Sequence, residues 1–406
     1  MSLNKIESRL RDHLLELHSN GTLKGAEHIV TGIEPAREGY GPRYRLEGMG
    51  SRLFLRMNSN GYLGMAFHRQ VIEAESRAAA QYGCGPGAVR FISGTYQPHV
   101  ELEKKLAKFH GRETGMIFSS AYATVTGVLP QFISRETLVI SDALNHNCII
   151  NAILLAQPAE KAVYAHLSTD ELKNLLKGNS GNYKRVVVVT DGVFSMRGDH
   201  APLKQISALC SRYEDGYEEG IITMVDDSHG VGTLGETGGG TEEYTQARAD
   251  IYIATLGKAL GVNGGYVVSS KKVIDYLRET SPFYIYSNPV TPAEAAAAIT
   301  ALEILKSSAG KMLLATMRGR SAQLRQGLQN LGMETIQGDH PIVPVLIRDT
   351  QQTAELVRHL FENNVLATGL NYPVVPKGEE EIRLQVSAHH TEKDIDYLLD
   401  VLAGFS

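Results

Sequence analysis

Ile221-Ile-Thr-Met-Val-Asp-Asp-Ser-His229 is the stretch that decides the fold. Five residues rich in β-branched and long apolar side chains stop abruptly at two carboxylates, a hydroxyl and an imidazole. A short apolar run with polar borders is the pattern of a strand buried on both faces. The same pattern recurs in Met116-Ile-Phe, Leu138-Val-Ile, Val186-Val-Val-Val and Ile251-Tyr-Ile-Ala. Between these runs, Thr169 to Leu176 and Pro202 to Tyr213 carry helical spacing. Strands alternating with helices predict an α/β architecture, a mostly parallel sheet covered on both faces. Gly264-Gly-Tyr-Val-Val-Ser-Ser adds one more strand, for which an antiparallel setting is open.

Outward from this centre the pattern changes. Residues 3 to 18 set Leu3, Ile6, Leu10, Leu14 and Leu17 at helical spacing among charges, and Arg37 to Arg56 reads as a small hairpin. Pro292 to Lys306 is an alanine-rich helix, followed by a second helical stretch from Ala309 to Leu331. Ile342-Val-Pro-Val-Leu-Ile, Val365-Leu-Ala-Thr and Ile382-Arg-Leu-Gln-Val, with two helices, make a smaller α+β unit. Three segments are therefore expected: an N-terminal helix and small-strand arm over 1–59, a large domain over 60–292, and a C-terminal α+β domain over 293–406.

Composition removes several classes of function. Lys plus Arg is 40 against 45 for Asp plus Glu, so no basic excess exists to neutralise nucleic-acid phosphates. Cys84, Cys148 and Cys210 are odd in number and far apart. They make no disulfide framework and fit a reducing compartment. Met1 to Leu10 has no apolar core of a signal peptide, and no apolar run nears the roughly 20 residues that span a bilayer. A cytoplasmic location and no membrane span are expected.

In open parallel sheets, ligands sit beyond the carboxyl ends of the strands. The residues found there are chemical ones: Ser119-Ser-Ala-Tyr-Ala-Thr124, Ser141-Asp-Ala-Leu-Asn-His146, Thr190-Asp-Gly-Val-Phe-Ser195, Asp226-Asp-Ser-His229 and Thr255-Leu-Gly-Lys258. A Lys placed where a buried strand ends needs a partner for its amine, and such an amine can form an imine with a carbonyl. An Asp on a neighbouring strand end can hold a positive ring nitrogen. Lys with Asp against a pyridinium is the protein half of pyridoxal-phosphate chemistry. The helix start near Ser119 to Thr124 suits a phosphate. Asp226, Asp227 and His229 alone would also suit a divalent cation. The register of Lys258 with the other strand ends turns the reading away from a metal, and Asp227 is read as structural.

At this point the motifs resemble a family. Val225-Asp-Asp-Ser-His-Gly-Val-Gly, Thr255-Leu-Gly-Lys-Ala-Leu-Gly, Ser141-Asp-Ala-Leu-Asn-His and Thr190-Asp-Gly-Val-Phe-Ser-Met stand in the order found in the α-oxoamine synthases, pyridoxal-phosphate enzymes of fold type I. Asn58-Ser-Asn-Gly-Tyr-Leu-Gly, Val89-Arg-Phe-Ile-Ser-Gly-Thr, Tyr286-Ser-Asn and Tyr372-Pro-Val-Val-Pro-Lys-Gly add to the likeness. Pro373 to Gly378 and Arg383 with Ser387-Ala-His-His-Thr resemble the glycine C-acetyltransferases in particular.

The resemblance implies a set of roles. Lys258 would bind pyridoxal phosphate covalently. Asp226 would pair with its ring nitrogen, His229 with its ring oxygen, and His146 would stack on its face. Ala121 and Tyr122 would hold the phosphate through their amides, Thr255 would add a hydroxyl, and Ser195 would stand beside the ring oxygen. Ser287 and Asn288, after a strand-like Phe283-Tyr-Ile-Tyr, would reach the phosphate of a partner subunit. That makes a homodimer with shared active sites. Asn60 and Arg383 would take the amino-acid carboxylate, the latter by a bidentate fork. The implied reaction joins an amino acid, glycine foremost, to an acyl-CoA. Alanine or serine with a longer acyl thioester is the alternative, and an aminotransferase stands behind it. Gln97-Pro-His, Thr124-Val-Thr and a loop one residue short after Lys258 depart from the acetyltransferase pattern.

Overall fold

The computed structural model describes residues 3–19, 23, 27–372 and 374–405. They form two compact units, residues 60–321 with 338–341, and residues 1–59 with 322–337 and 342–406.

The larger unit is built on a seven-stranded sheet in the order Thr114–Phe118, Gly265–Ser269, Ile251–Thr255, Ile221–Asp226, Arg185–Asp191, Thr137–Asp142, Glu160–Tyr164. The last five are mutually parallel. Gly265–Ser269 lies antiparallel between Ile251–Thr255 and Thr114–Phe118. Two reversals restore the direction, so Thr114–Phe118 points the same way as the parallel strands. Six carboxyl ends therefore share one edge of the sheet. The centre is dry: Val187, Val189, Met224, Ile253 and Val267 pack with Val125, Ile149 and Leu277 from the covering helices. Burial on both faces explains why these strands read as continuous apolar runs.

Three details differ from the sequence reading. Glu160–Tyr164 is a strand that its composition hides; it is an edge strand with four of its five positions not buried. Phe283 to Tyr286 is no strand, since Pro282–Ile285 forms a helical turn with the proline at its start, where a missing N–H costs nothing. The alanine-rich helix Pro292–Lys306 was placed in the C-terminal domain. It is buried almost all round, packs on the helices Arg69–Tyr82 and Gln97–Phe109, and belongs to the larger unit, which runs to residue 321 instead of 292.

The smaller unit joins the two ends of the chain. Leu55–Arg56 pairs in parallel with Val365–Leu366, and Val30–Glu34 forms an antiparallel hairpin with Arg43–Leu46. A three-stranded antiparallel sheet in the order Ile342–Leu346, Glu381–Gln385, Thr368–Leu370 closes over the helices Thr350–Glu362 and Glu392–Ala403. Leu55, Val343, Ile382, Leu384 and Leu398 form its core. The N-terminal helix Asn4–Ser19 forms as its periodicity predicts, with none of its residues buried. Among the described residues, no helix is long and apolar enough to cross a membrane.

Candidate active site

Asp226 closes the Ile221–Asp226 strand and is paired in register with Asp191, so both carboxylates leave the sheet on one face. Asp226 Oδ1 accepts from Ser228 N at 3.1 Å and Ser228 Oγ at 2.5 Å, while Oδ2 meets Cys148 Sγ at 3.6 Å. Asp227 faces elsewhere. It takes Thr241 N at 2.6 Å and Thr241 Oγ1 at 2.5 Å, and the Tyr252 hydroxyl. Burial pushes the Asp227 carboxyl up to about 7. A Cβ at Gly240, whose φ of +92° already favours glycine, would strike that carboxylate. The two adjacent carboxylates therefore do not converge on one ion; Asp227 ties the turn together and Asp226 is left for chemistry.

His146 caps the helix Asn147–Ala156, and Cys148 N donates to its Nδ1 at 3.2 Å. A backbone N–H can only donate, so in the neutral ring the proton sits on Nε2. His146 N donates to Asp191 Oδ2 at 2.9 Å, which fixes where the ring leaves the chain. The side chain stands at an exposed rim, yet enough of the ring is enclosed for burial to lower its proton affinity. Asp226 raises that affinity and Lys258 lowers it. Asp191 is raised well above the ordinary carboxyl range by burial and by the charge of Asp226, against the opposing pull of His146 N–H and Lys258. Lys258, half-buried three residues beyond the strand Ile251–Thr255, thus acts electrostatically on both neighbours.

His229 is buried, and its Nδ1 lies 2.7 Å from the hydroxyl of fully buried Tyr62. The Tyr62 hydroxyl also lies 3.2 Å from Asn60 Oδ1, so Asn60, Tyr62 and His229 form one chain of polar contacts. Ser120 caps the helix Ala121–Val128 by accepting from Ala123 N at 3.0 Å. Among the described residues nothing accepts from the amides of Ala121 and Tyr122. These are the orphan donors of a helix start. Gly265 keeps that start open to the sheet: a Cβ there would lie 2.5 Å from Ala121 N. The Thr255 hydroxyl donates to Gly264 O at 3.1 Å and accepts from Gly257 N at 3.0 Å. Ser195 is half-buried in the loop after Arg185–Asp191.

The sheet edge thus gathers Lys258, Asp226, His229, His146, Ser195, Thr255, Ala121 and Tyr122. Asn60 enters through Tyr62. Ser287 and Asn288 follow the Pro282–Ile285 turn, half-buried and exposed respectively. Arg383 belongs to the smaller unit, on the strand Glu381–Gln385, opposite Pro344 and Thr368. Pro373, which opens the Pro373–Gly378 motif, lies outside the described residues. Sequence reasoning missed Asp191, Cys148 and Tyr62, although each lies inside or beside a quoted motif. They act on other residues of the site, and that role leaves no mark in a linear pattern.

Comparison with known proteins shows the family. The family described as aminotransferase class I and II matches residues 53–402. An 8-amino-7-oxononanoate synthase of Bacillus subtilis (strain 168) is 39% identical over 350 residues, 86% of this chain and 87% of that protein. One from Petrotoga mobilis is 36% identical over 394 residues, 96% of this chain and 95% of that protein. Among solved structures, a Sphingomonas wittichii serine palmitoyltransferase superposes with a TM-score of 0.88 at 27% identity, covering 99% of this chain and 98% of that one. A serine palmitoyltransferase from S. paucimobilis with bound PLP–myriocin aldimine gives 0.86 at 25%, with 99% and 97% covered. These relatives are not named glycine C-acetyltransferases, the subgroup to which the Pro373–Gly378 and Arg383 motifs pointed.

Proposed function

The chain belongs to the aminotransferase class I and II family and, within it, to the pyridoxal-phosphate-dependent α-oxoamine synthases, and from that premise we propose that it condenses a small α-amino acid with an acyl thioester. The observation that carries this reading is the shared electrostatic neighbourhood of Lys258, Asp226 and His146 at one strand edge. The residues suit the cofactor. Two unpartnered amides at a helix start fit a phosphate, and a buried carboxylate, Asp226, fits a protonated ring nitrogen. When bound, pyridoxal phosphate supplies a cationic ring that takes up the electron pair released at the amino acid's α-carbon.

The chain's own residues do the rest. Asp226 would hold the proton on the ring nitrogen. His229, whose Nδ1 lies 2.7 Å from the Tyr62 hydroxyl, would stand by the ring oxygen. Lys258 Nζ would hold the cofactor and, once free, would accept the α-proton. His146, with its proton on Nε2, would cover the ring face and offer a donor to the acyl oxygen. The family likeness alone assigns the substrate carboxylate to Asn60 and to Arg383. The new bond joins the α-carbon to the acyl carbon, the C–S bond breaks, and the thiol leaves with a proton. Loss of the carboxyl group as CO₂ gives an aminoketone; its retention gives a 2-amino-3-keto acid.

The relatives' name bears on the substrates. An 8-amino-7-oxononanoate cut between C7 and C8 leaves a two-carbon amine, as from alanine without its carboxyl group, and a seven-carbon acyl group. Alanine with a longer acyl chain therefore stands beside glycine with a short acyl-CoA. A matrix of glycine, alanine and serine against short and long acyl thioesters, with thiol release as the signal, tests the proposal. Amino-acid-dependent thiol release is expected from at least one pair. Keto-acid formation from the amino acid without thiol release would make the protein an aminotransferase instead.

The proposal includes a homodimer in which Ser287 and Asn288 complete the partner's phosphate site. Apolar side chains left in water support it: Phe91 and Ile92 are 67% and 68% exposed, and Leu154 lies 64% exposed four residues beyond exposed Ile150 on one helix face. Mixing Lys258→Ala with a variant altered at both Ser287 and Asn288 should restore about a quarter of full activity, because random pairing makes half the dimers hybrid, each with one working site. No recovery from freely exchanging subunits would place both residues in their own subunit's site.

A further inference from the structure

One charged side chain outside the site joins two of the turns that carry it. His166 follows the edge strand Glu160–Tyr164. Its Nδ1 lies 3.0 Å from Asp142 Oδ1 and its Nε2 3.2 Å from Asp199 Oδ2. Carboxylates only accept, so both ring nitrogens carry hydrogen and the ring is an imidazolium. The three side chains are mostly enclosed, His166 and Asp199 at 17% exposure and Asp142 at 1%. Asp142 also takes Leu144 N at 2.8 Å and Leu167 N at 2.9 Å, which shapes the turn leading to His146. Asp199 sits in the loop 192–200, which is closed by Phe194 N to Asp199 O at 2.9 Å and Gly198 N to Phe194 O at 2.8 Å. Arg197 Nε lies 2.9 Å from Asp199 Oδ2. Phe194, next to Ser195, packs edge-on to the His166 ring with centroids 4.4 Å apart.

We propose that His166 is a positioning residue: as a cation it clamps the turn that carries His146 to the loop that carries Ser195, and so sets the slot for the cofactor ring. This rests on the reading of His146 and Ser195 as neighbours of the cofactor. The clamp holds the loop without touching cofactor or substrate. A ring bridged to one carboxylate would anchor one turn; bridged to two, it fixes the distance between them.

The clamp is sensitive to pH. Burial pulls the His166 proton affinity down, but Asp142 and Asp199 together raise it from the ordinary 6.5 to about 9. Its contribution to stability is therefore fully present below about 6.5, the value of the unfolded chain, and is lost as the pH rises through about 9. The charged groups that face it are Asp142 on the neighbouring strand and Asp199 on the loop; Arg197 pairs with Asp199, Tyr164 ends the strand before it, and Glu171 accepts from Ala165 N at 2.7 Å. Asp199 is held below the ordinary carboxyl value against its burial by His166 and Arg197, and burial pushes the Tyr164 hydroxyl up.

The test reads cofactor affinity and amide exchange, not turnover. In His166→Gln, the dissociation constant for pyridoxal phosphate should rise about tenfold at neutral pH, the scale for loss of a group that orients others. In the cofactor-free protein the amides of residues 193–199 should exchange faster. Wild-type affinity should fall as the pH passes about 9, a step absent from His166→Gln. Asp199→Asn should act alike, and the double variant should be no worse than either single one, since one clamp cannot be broken twice. If His166→Gln does not fold, Asp199→Asn, which keeps the Asp142–His166 pair, carries the same measurements. Unchanged exchange or additive losses would overturn the clamp. Faster exchange with unchanged affinity in His166→Gln, His146→Ala and Ser195→Ala alike would overturn the assignment of the slot.

Discussion

Lys258→Ala is expected to lower amino-acid-dependent thiol release by at least ~10⁴-fold, the upper end of what a positioned proton acceptor supplies. Two losses combine in that figure. The amine proposed to anchor the cofactor is gone, and so is the proposed acceptor of the α-proton. The backbone gives no reason for collapse: the turn is held by Gly261 N to Lys258 O at 3.0 Å and by Thr255 Oγ1 with Gly257 N and Gly264 O, none of which involves the lysine side chain. The variant should fold, show no lysine adduct after borohydride reduction and mass spectrometry, and lack the wild type's visible absorbance band. A second signature follows from charge. Lys258 lowers the proton affinity of His146, so its removal should raise the His146 pKa, an upward shift readable by NMR titration. Turnover near the wild-type level would end the assignment of Lys258.

What the sequence made legible follows from burial. Val186 to Val189 lie 0–1% exposed, and a strand buried on both faces writes itself as an unbroken apolar run. Glu160–Tyr164, at the sheet's edge, carries Glu160 and Lys161 toward solvent and wrote no such run. Phe283-Tyr-Ile-Tyr has strand composition, but Pro282 fixes a φ that starts a helical turn, and local backbone constraint outweighed side-chain preference. The helix Pro292–Lys306 was legible as a helix, but small side chains buried on every side do not name their neighbour, so the unit it joins was misplaced. The site divides in the same way. The placement of Lys258, Asp226, His229 and His146 was legible because each stands at or just after a strand end, where ligands of open sheets sit. Asp191, Tyr62, Cys148 and His166 were not. Their meaning lies in which atom they face across the fold, and a carboxylate that holds a backbone amide looks in sequence like one that holds a cofactor. The acyl specificity was least legible, since short motifs near Pro373 and Arg383 resembled one subgroup while a relative 39% identical over 86% of the chain carries the name of another.

Asp226→Asn should slow release of the α-proton by about 10³-fold, roughly 4 kcal/mol, while cofactor binding persists. The amide is nearly isosteric, and its oxygen can still accept from Ser228 N and Ser228 Oγ where Oδ1 now does. At the other position an NH₂ replaces Oδ2. It meets Cys148 Sγ, which burial and the charges of Asp226 and Asp191 keep as a neutral thiol, and it donates where the carboxylate accepted. In the proposed role of Asp226, a donor at that position could not hold a proton on the ring nitrogen, so the ring would lose its positive charge and take up electrons poorly. Asp191 cannot step in, because its Oδ2 is committed to His146 N at 2.9 Å. Its own proton affinity, raised in part by the charge of Asp226, should fall in the variant. His146, whose affinity that charge raises, should lose protons at lower pH. The measurement is exchange of the amino acid's α-hydrogen with deuterated solvent, followed by NMR without acyl thioester, so that no later step contributes. Cofactor affinity is titrated in parallel. A loss of exchange below about tenfold, or ~1.4 kcal/mol, with binding intact would mean that a group other than Asp226 holds the ring nitrogen.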